Sequence, residues 1–131
     1  MRSALVRPPI LGIDHVQIAI PVGGEDQARD FYVGLLGMCE SDKPPGMAAR
    51  GGAWFACGAH QLHVGGEASF VPAKKAHPAF ALADPSALRA LAGFLEAAGH
   101  AVRWSHDVPG FLRFHTNDPF GNRLEFGAAD R

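Results

Sequence analysis

Cysteine is scarce: Cys39 and Cys57 are the only two in 131 residues, and no CxxC pair exists. That leaves no disulfide scaffold and predicts two free thiols in a reducing cytoplasm, packed as small apolar side chains rather than used as nucleophiles. Long apolar runs are missing too, none approaching the roughly 20 residues of a membrane span, so a soluble chain is expected. The opening MRSALVRPPILG is interrupted by Pro8-Pro9 before a secretory apolar core can develop. Neither charge sign dominates, since the net charge is −1 and Lys and Arg are scattered. With no basic stripe, nucleic acid is not an expected partner. No GxGxxG or GK[ST] follows Gly23-Gly24, which reads as a turn rather than a phosphate loop. What is abundant is ordinary globular material, 47% hydrophobic and 19% charged. The length fits one domain, or two small modules sharing a core, because a half of roughly 60 residues is marginal alone.

The richest stretch is FLRFHTNDPFGNRLEFG, Phe111 to Gly127. It reads as two strands reversing at Asp118-Pro119-Phe120-Gly121-Asn122, where Pro fixes one φ and Gly or Asn tolerates a positive one. Alternation places Leu124 and Phe126 on one face and Arg123, Glu125 and Gly127 on the other. Three other predicted strands repeat that geometry with histidine. His15 opposes Val16, Ile18 and Ile20; His63 opposes Leu62 and Val64; His77 opposes Phe80 and Leu82. Any one such histidine is ordinarily structural, but three with one glutamate on the phase opposite the bulky residues point to a concave face holding a cation.

Spacing adds an independent argument. His15 to His77 and His63 to Glu125 are both 62 residues apart, and the same offset carries Ile18 to Phe80, Leu62 to Leu124, Val64 to Phe126 and Gly37 to Gly99. An ungapped internal duplication is expected. In chain order, an arm (1–12) precedes a first module (13–65) of strand Ile13–Ile20, helix Glu25–Leu36 stopped by Gly37, strand Met38–Ser41, and a hairpin of Gly52–Cys57 and Gln61–Gly65. A Pro/Gly loop, Asp42–Arg50, is placed to cover a pocket, and His60 and His106 fall in solvated loops. A linker (66–76) leads to a second module (77–127): strand His77–Ala83, a helix capped by Asp84 with Pro85 at its first position and closed by Gly99, strand Val102–Trp104, and the final hairpin. The fold class is α+β, two tandem βαβββ modules forming a curved mixed sheet around a metal-binding cleft.

Paired modules of this kind, with IDHVQIAIP on the first strand, FYVGLLGM at the helix end and DPFGNRLEF in the last hairpin, resemble the vicinal oxygen chelate superfamily over about residues 13 to 127. That superfamily includes glyoxalase I, the fosfomycin-resistance thiol transferases, extradiol dioxygenases, methylmalonyl-CoA epimerase and bleomycin-binding proteins. The resemblance implies metal ligands on the first and last strands of each module, here His15, His63, His77 and Glu125. Where glyoxalase I usually has a carboxylate and the epimerase a glutamine, this chain has His63, so neither specific activity carries over. The single tyrosine, Tyr32, lies on a helix and does not match the acid/base tyrosine of the dioxygenases. No counterpart of the cationic cluster that holds a phosphonate in the fosfomycin enzymes is evident. The resemblance also implies a homodimer in which modules of two chains share a site.

Imidazoles and a carboxylate suit a borderline divalent ion (Zn, Ni, Fe, Mn or Co) rather than Ca or Mg. Such an ion would act as a Lewis acid on a small substrate with adjacent oxygens, favouring a lyase or isomerase over a dioxygenase. Glu125 is the preferred base, with His115 as the other candidate or as a plain inward-facing polar residue. Arg113 is a candidate anchor for a substrate carboxylate, and Trp54 or Phe55 for an apolar wall. The alternative is a metal-free protein that sequesters an antibiotic or another small ligand.

Overall fold

The computed structural model describes residues 5–130. Two four-stranded mixed sheets carry the fold, one from each half. In the first, β1 (His15–Pro21), β4 (His60–Glu67), β3 (Ala53–Cys57) and β2 (Cys39–Ser41) lie side by side in that order. The second repeats it with β5 (Ala79–Ala81), β8 (Arg123–Ala129), β7 (Phe111–Asn117) and β6 (Arg103–Ser105). β1 pairs with β4 in parallel, and β5 with β8; every other pairing is antiparallel. These are the two tandem βαβββ modules that the alternation and the repeat implied, as two separately hydrogen-bonded sheets.

The helices follow local chemistry. α2 (Pro85–Ala97) starts where Asp84 accepts the Ala87 N–H at 2.8 Å with Pro85 next to it, and Leu88, Ala92 and Leu95 form its buried stripe. Gly37 and Gly99 close the two helical segments at φ 78° and 90°, in the left-handed region that a Cβ disfavours. The helix expected over Glu25–Leu36 divides in two. α1 (Glu25–Arg29) is regular, whereas Asp30–Leu35 is a π-helix, with the Leu36 N–H bonded to the Phe31 carbonyl at 2.9 Å. The wider turn lets Phe31 and Tyr32 both enter the core, a packing demand that a 3.6-residue period does not register.

Register corrects the ungapped duplication. Gln17 faces His63 and Ala79 faces Glu125, so β1 and β4 map onto β5 and β8 with the offset of 62. Trp54, however, faces His63 while His115 faces Glu125, so β3 maps onto β7 with an offset of 61. The loops flanking the strand absorb the one-residue difference. Other bounds shift as well. β4 runs on through Gly66 and Glu67, taking the first two residues of the expected linker, and β5 is only three residues long, leaving His77 just before it. Cys39 is exposed instead of packed, because it lies on the short edge strand β2.

One core joins the halves. Tyr32, Phe55, Phe114, Ile20, Leu62, Leu88, Leu95 and Leu124 are among its fully buried members. The Asp118–Asn122 turn provides the polar part of this junction. Asp118 Oδ1 accepts the Phe120 and Asn122 N–H groups at 2.9 and 2.8 Å, and Oδ2 accepts the Tyr32 hydroxyl at 2.8 Å. Asn122 donates through Nδ2 to the Ala19 carbonyl and accepts the Ala73 N–H on Oδ1, tying β1 to the hairpin and to the intermodule segment. Among the described residues, no helix is long and apolar enough to cross a membrane.

Candidate metal centre

Cross-strand pairing builds the site. In β7 and β8, Phe114 opposes Phe126 and the pair stacks into the core, with Trp104 edge-on to Phe114. The alternate residues therefore face outward together: His115 opposite Glu125 and Arg103, and Arg113 opposite Gly127 and Ser105. His77 reaches this face from the segment before β5. Its Nε2 lies 2.9 Å from Glu125 Oε1, and His115 Nε2 lies 3.0 Å from the same oxygen. Among the described residues, His77, His115 and Glu125 are the group whose donor atoms come close enough to share an ion, all within 4.8 Å of one another. Glu125 is 7% exposed and His115 8%.

The expected ligands are thus distributed over two places. His77 and Glu125 meet; His15 and His63 sit on the other sheet. There the His63 ring stacks between Trp54, at a centroid distance of 4.3 Å, and His15, at 4.1 Å. The two sets are equivalent under the repeat, His15, His63 and Trp54 matching His77, Glu125 and His115. His115 enters the group because the offset on its strand is 61, a relation that sequence spacing hides and strand pairing reveals. Of the two aromatic wall candidates, Trp54 lies on the site face. Phe55 is fully buried against Tyr32, so it belongs to the core and forms no wall.

Electrostatics favour the ligating forms. Burial pushes the Glu125 carboxyl upward, but the hydrogen bond from His77 and the nearby Arg113 charge outweigh it and hold the carboxyl below its ordinary value. Burial, with the Arg123 charge, lowers His115, which keeps that imidazole neutral near pH 7. His63 is lowered by burial and by the neighbouring His15. Arg113 Nη1 lies 3.4 Å from both Glu125 oxygens, and its Nη2 donates to Asp107 at 3.0 and 3.2 Å.

The hydrogen bonds around His77 suit a metal-bound imidazole. His77 Nδ1 faces the Lys75 carbonyl at 2.8 Å, and its Nε2 faces the Glu125 carboxylate. Both partners are acceptors: an imidazolium can serve the two together, and a neutral imidazole, with one N–H, can serve only one of them. In the metal-free protein the proton on Nε2 serves Glu125; with Nδ1–H held by the Lys75 carbonyl instead, the Nε2 lone pair is released to a cation, which is the outer-shell arrangement of a metal-bound histidine. Two imidazoles and a carboxylate with these orientations fit a borderline divalent cation.

The chain matches the profile of the Glyoxalase/Bleomycin resistance protein/Dioxygenase superfamily over residues 12–126 and belongs to that family. Among solved structures it is similar to a glyoxalase family protein from Bacillus anthracis, at 45% identity over 95% of this chain and 100% of that one, with a TM-score of 0.89. The fold is shared with lactoylglutathione lyase from Agrobacterium tumefaciens, at 24% identity, 92% and 96% coverage and a TM-score of 0.71. It is shared too with a mutant of the fosfomycin resistance protein FosX from Listeria monocytogenes, complexed with Mn(II) and 1S,2S-dihydroxypropylphosphonic acid, at 14% identity, 92% and 94% coverage and a TM-score of 0.77. No protein of curated function matches the chain.

Proposed function

We propose that this protein is a divalent-metal-dependent enzyme of glyoxalase-like type, a lyase or isomerase before a dioxygenase, acting on a small molecule with two adjacent oxygens. The observation that carries the reading is the convergence of donor atoms from His77, His115 and Glu125, all within 4.8 Å of one another on one sheet face. His77 and Glu125 are the proposed ligands from this half of the chain, and His15 and His63 those from the equivalent half. When bound, the ion supplies Lewis-acid charge against the anion that develops on the substrate.

The remaining work falls to the chain's own groups. Glu125, held ionised, is the proposed proton acceptor at Oε2, the oxygen left free by the two imidazoles. His115, neutral and bonded through Nε2 to Glu125, steadies that carboxylate and is the second candidate for the acid/base work. Arg113 orients the substrate, and Trp54 stacks over His63 to shield the other half of the site from water.

The same geometry supports a homodimer. Because the two equivalent sets lie on different sheets of one chain, the full four-residue set is proposed to form between two chains in the cytoplasm. A second reading, metal-free sequestration of a small ligand, draws on a cavity of about 900 Å³ lined by Val16, Ile18, Val71 and Phe80 between β1 and β5. Metal analysis of untagged protein separates the two. The enzyme reading expects about one Zn, Ni, Fe, Mn or Co ion per chain after supplementation, lost in His77→Ala while the fold persists. A wild-type content below about 0.1 ion per chain, or an unchanged content in His77→Ala, refutes it.

A further inference from the structure

The outward face of the second sheet carries more cationic side chains than the metal centre needs. Arg103 lies across from His115, Arg113 is two residues before it on the same strand, and Arg123 is two residues before Glu125. All three share the Glu125 face. Against them stand Glu125 and one other carboxylate, Asp107, which lies in the loop after β6 and is 66% exposed.

Asp107 is attached to this face through Arg113 alone and one local bond. Both of its oxygens contact Arg113 Nη2, at 3.0 and 3.2 Å, and Oδ1 also accepts the Ser105 hydroxyl at 2.6 Å. The guanidinium is not saturated by this. Its Nε is buried and has no hydrogen-bond partner among the described residues, while Nη1 reaches Glu125 only at 3.4 Å. A guanidinium has five N–H donors arranged for side-on contact with a carboxylate, and here one exposed loop carboxylate takes a single nitrogen of that fork.

We infer that Arg113 is an anion subsite adjoining the metal centre, and that Asp107 is an intramolecular stand-in that a substrate carboxylate displaces. The inference rests on the proposed metal-dependent reading for its substrate. Because Arg113 abuts Glu125, a carboxylate on the arginine lies beside the donor set, and its substrate class is a small acid whose carboxylate adjoins the oxygen-bearing carbons, a 2-hydroxy or 2-oxo acid. The arginine-rich face draws such an anion in. Asp107 is exposed and on a loop, so it leaves at the cost of one solvent-screened ion pair.

Glycolate is the probe. The Arg113 Nε–Hε resonance, assigned by its loss in Arg113→Gln, is followed by NMR during glycolate titration of the full-length protein as purified and again after Zn²⁺ addition, with chloride matched throughout. A saturable shift is expected in the wild type. Asp107→Asn removes the competitor and should tighten glycolate binding about two- to fivefold, the factor equivalent to a surface ion pair; Ser105→Ala should move it the same way by less. Unchanged or weaker binding in Asp107→Asn, or no shift at Arg113 in any of these proteins, overturns the inference. Zn²⁺ stoichiometry measured on the same samples reports separately on the metal-dependent reading, which survives a failure at Arg113.

Discussion

Replacing Glu125 by glutamine decides between two opposing forces on one buried carboxylate. Desolvation acts against the charge, and the hydrogen bond from His77 with the Arg113 charge acts for it; the depressed carboxyl shows that the second set wins, and His115 adds a further bond to the same oxygen. Glutamine keeps an acceptor oxygen but no charge. Each imidazole bond then falls from a charge-assisted to a neutral one, a loss of about 1 kcal/mol apiece, so Glu125→Gln should destabilise the metal-free protein by about 2 kcal/mol at pH 7. At roughly 4 °C per kcal/mol, the melting temperature drops by about 8 °C. A carboxyl whose pKa is depressed on folding contributes stability that is fully present above its unfolded value, about 4.3, and is lost as pH falls through the lower folded value. The gap between wild type and variant should therefore hold from pH 7 to 5 and narrow below about pH 4. Urea unfolding of chelator-treated proteins at pH 7, 5 and 3.5 measures it. A variant as stable as wild type at pH 7, or a gap that does not narrow in acid, would refute the reasoning. In the same variant, divalent-metal affinity should fall by more than the roughly 10–100-fold that loss of an outer-shell partner costs.

Other expectations concern the frame around the site. Tyr32→Phe removes the buried donor to Asp118, whose Oδ2 keeps Asn122 Nδ2 at 3.0 Å, so chemical denaturation should show a loss of about 1–2 kcal/mol with an unchanged m-value. Gly52→Ala combines φ +79° with a Cβ placed 2.5 Å from the Val64 carbonyl oxygen, a backbone atom that cannot step aside, and should cost about 3 kcal/mol in the same assay. For the proposed shared site, His15→Ala chains co-refolded with Glu125→Ala chains should recover part of the metal binding, because one site of the mixed dimer collects both lesions and the other none. Confirmed mixed dimers without recovery would assign each site to a single chain.

Much of the architecture was legible because its signals are local. β1 and the β7–β8 hairpin alternate cleanly, Asp84-Pro85 announces α2, and Gly37 and Gly99 sit where helices must stop. β2 and β6 are three-residue edges with too little alternation to bound, and the π-helix answers to the core rather than to its own sequence. For the site, period two put His77, Glu125 and His115 on outward phases. What it could not supply was pairing: a common offset matched His63 to Glu125 but left Trp54 and His115 unmatched, since the loops around β7 are one residue out of step with those around β3. Arg103, Arg113 and Arg123 are likewise dispersed along the chain and come onto one sheet face only across the ladder.

Asn122 has a consequence for how the molecule comes apart. One buried side chain, 2% exposed, holds the first strand of one half, the turn of the other and the segment between them. Neither half can loosen without stripping this amide of its partners and opening the common core, so melting should appear in calorimetry as a single cooperative step with no half-unfolded plateau. It also sets the route to any two-chain assembly: intact protomers dock as finished pieces, and subunits trade places by dissociation rather than by one half swinging out of its own chain.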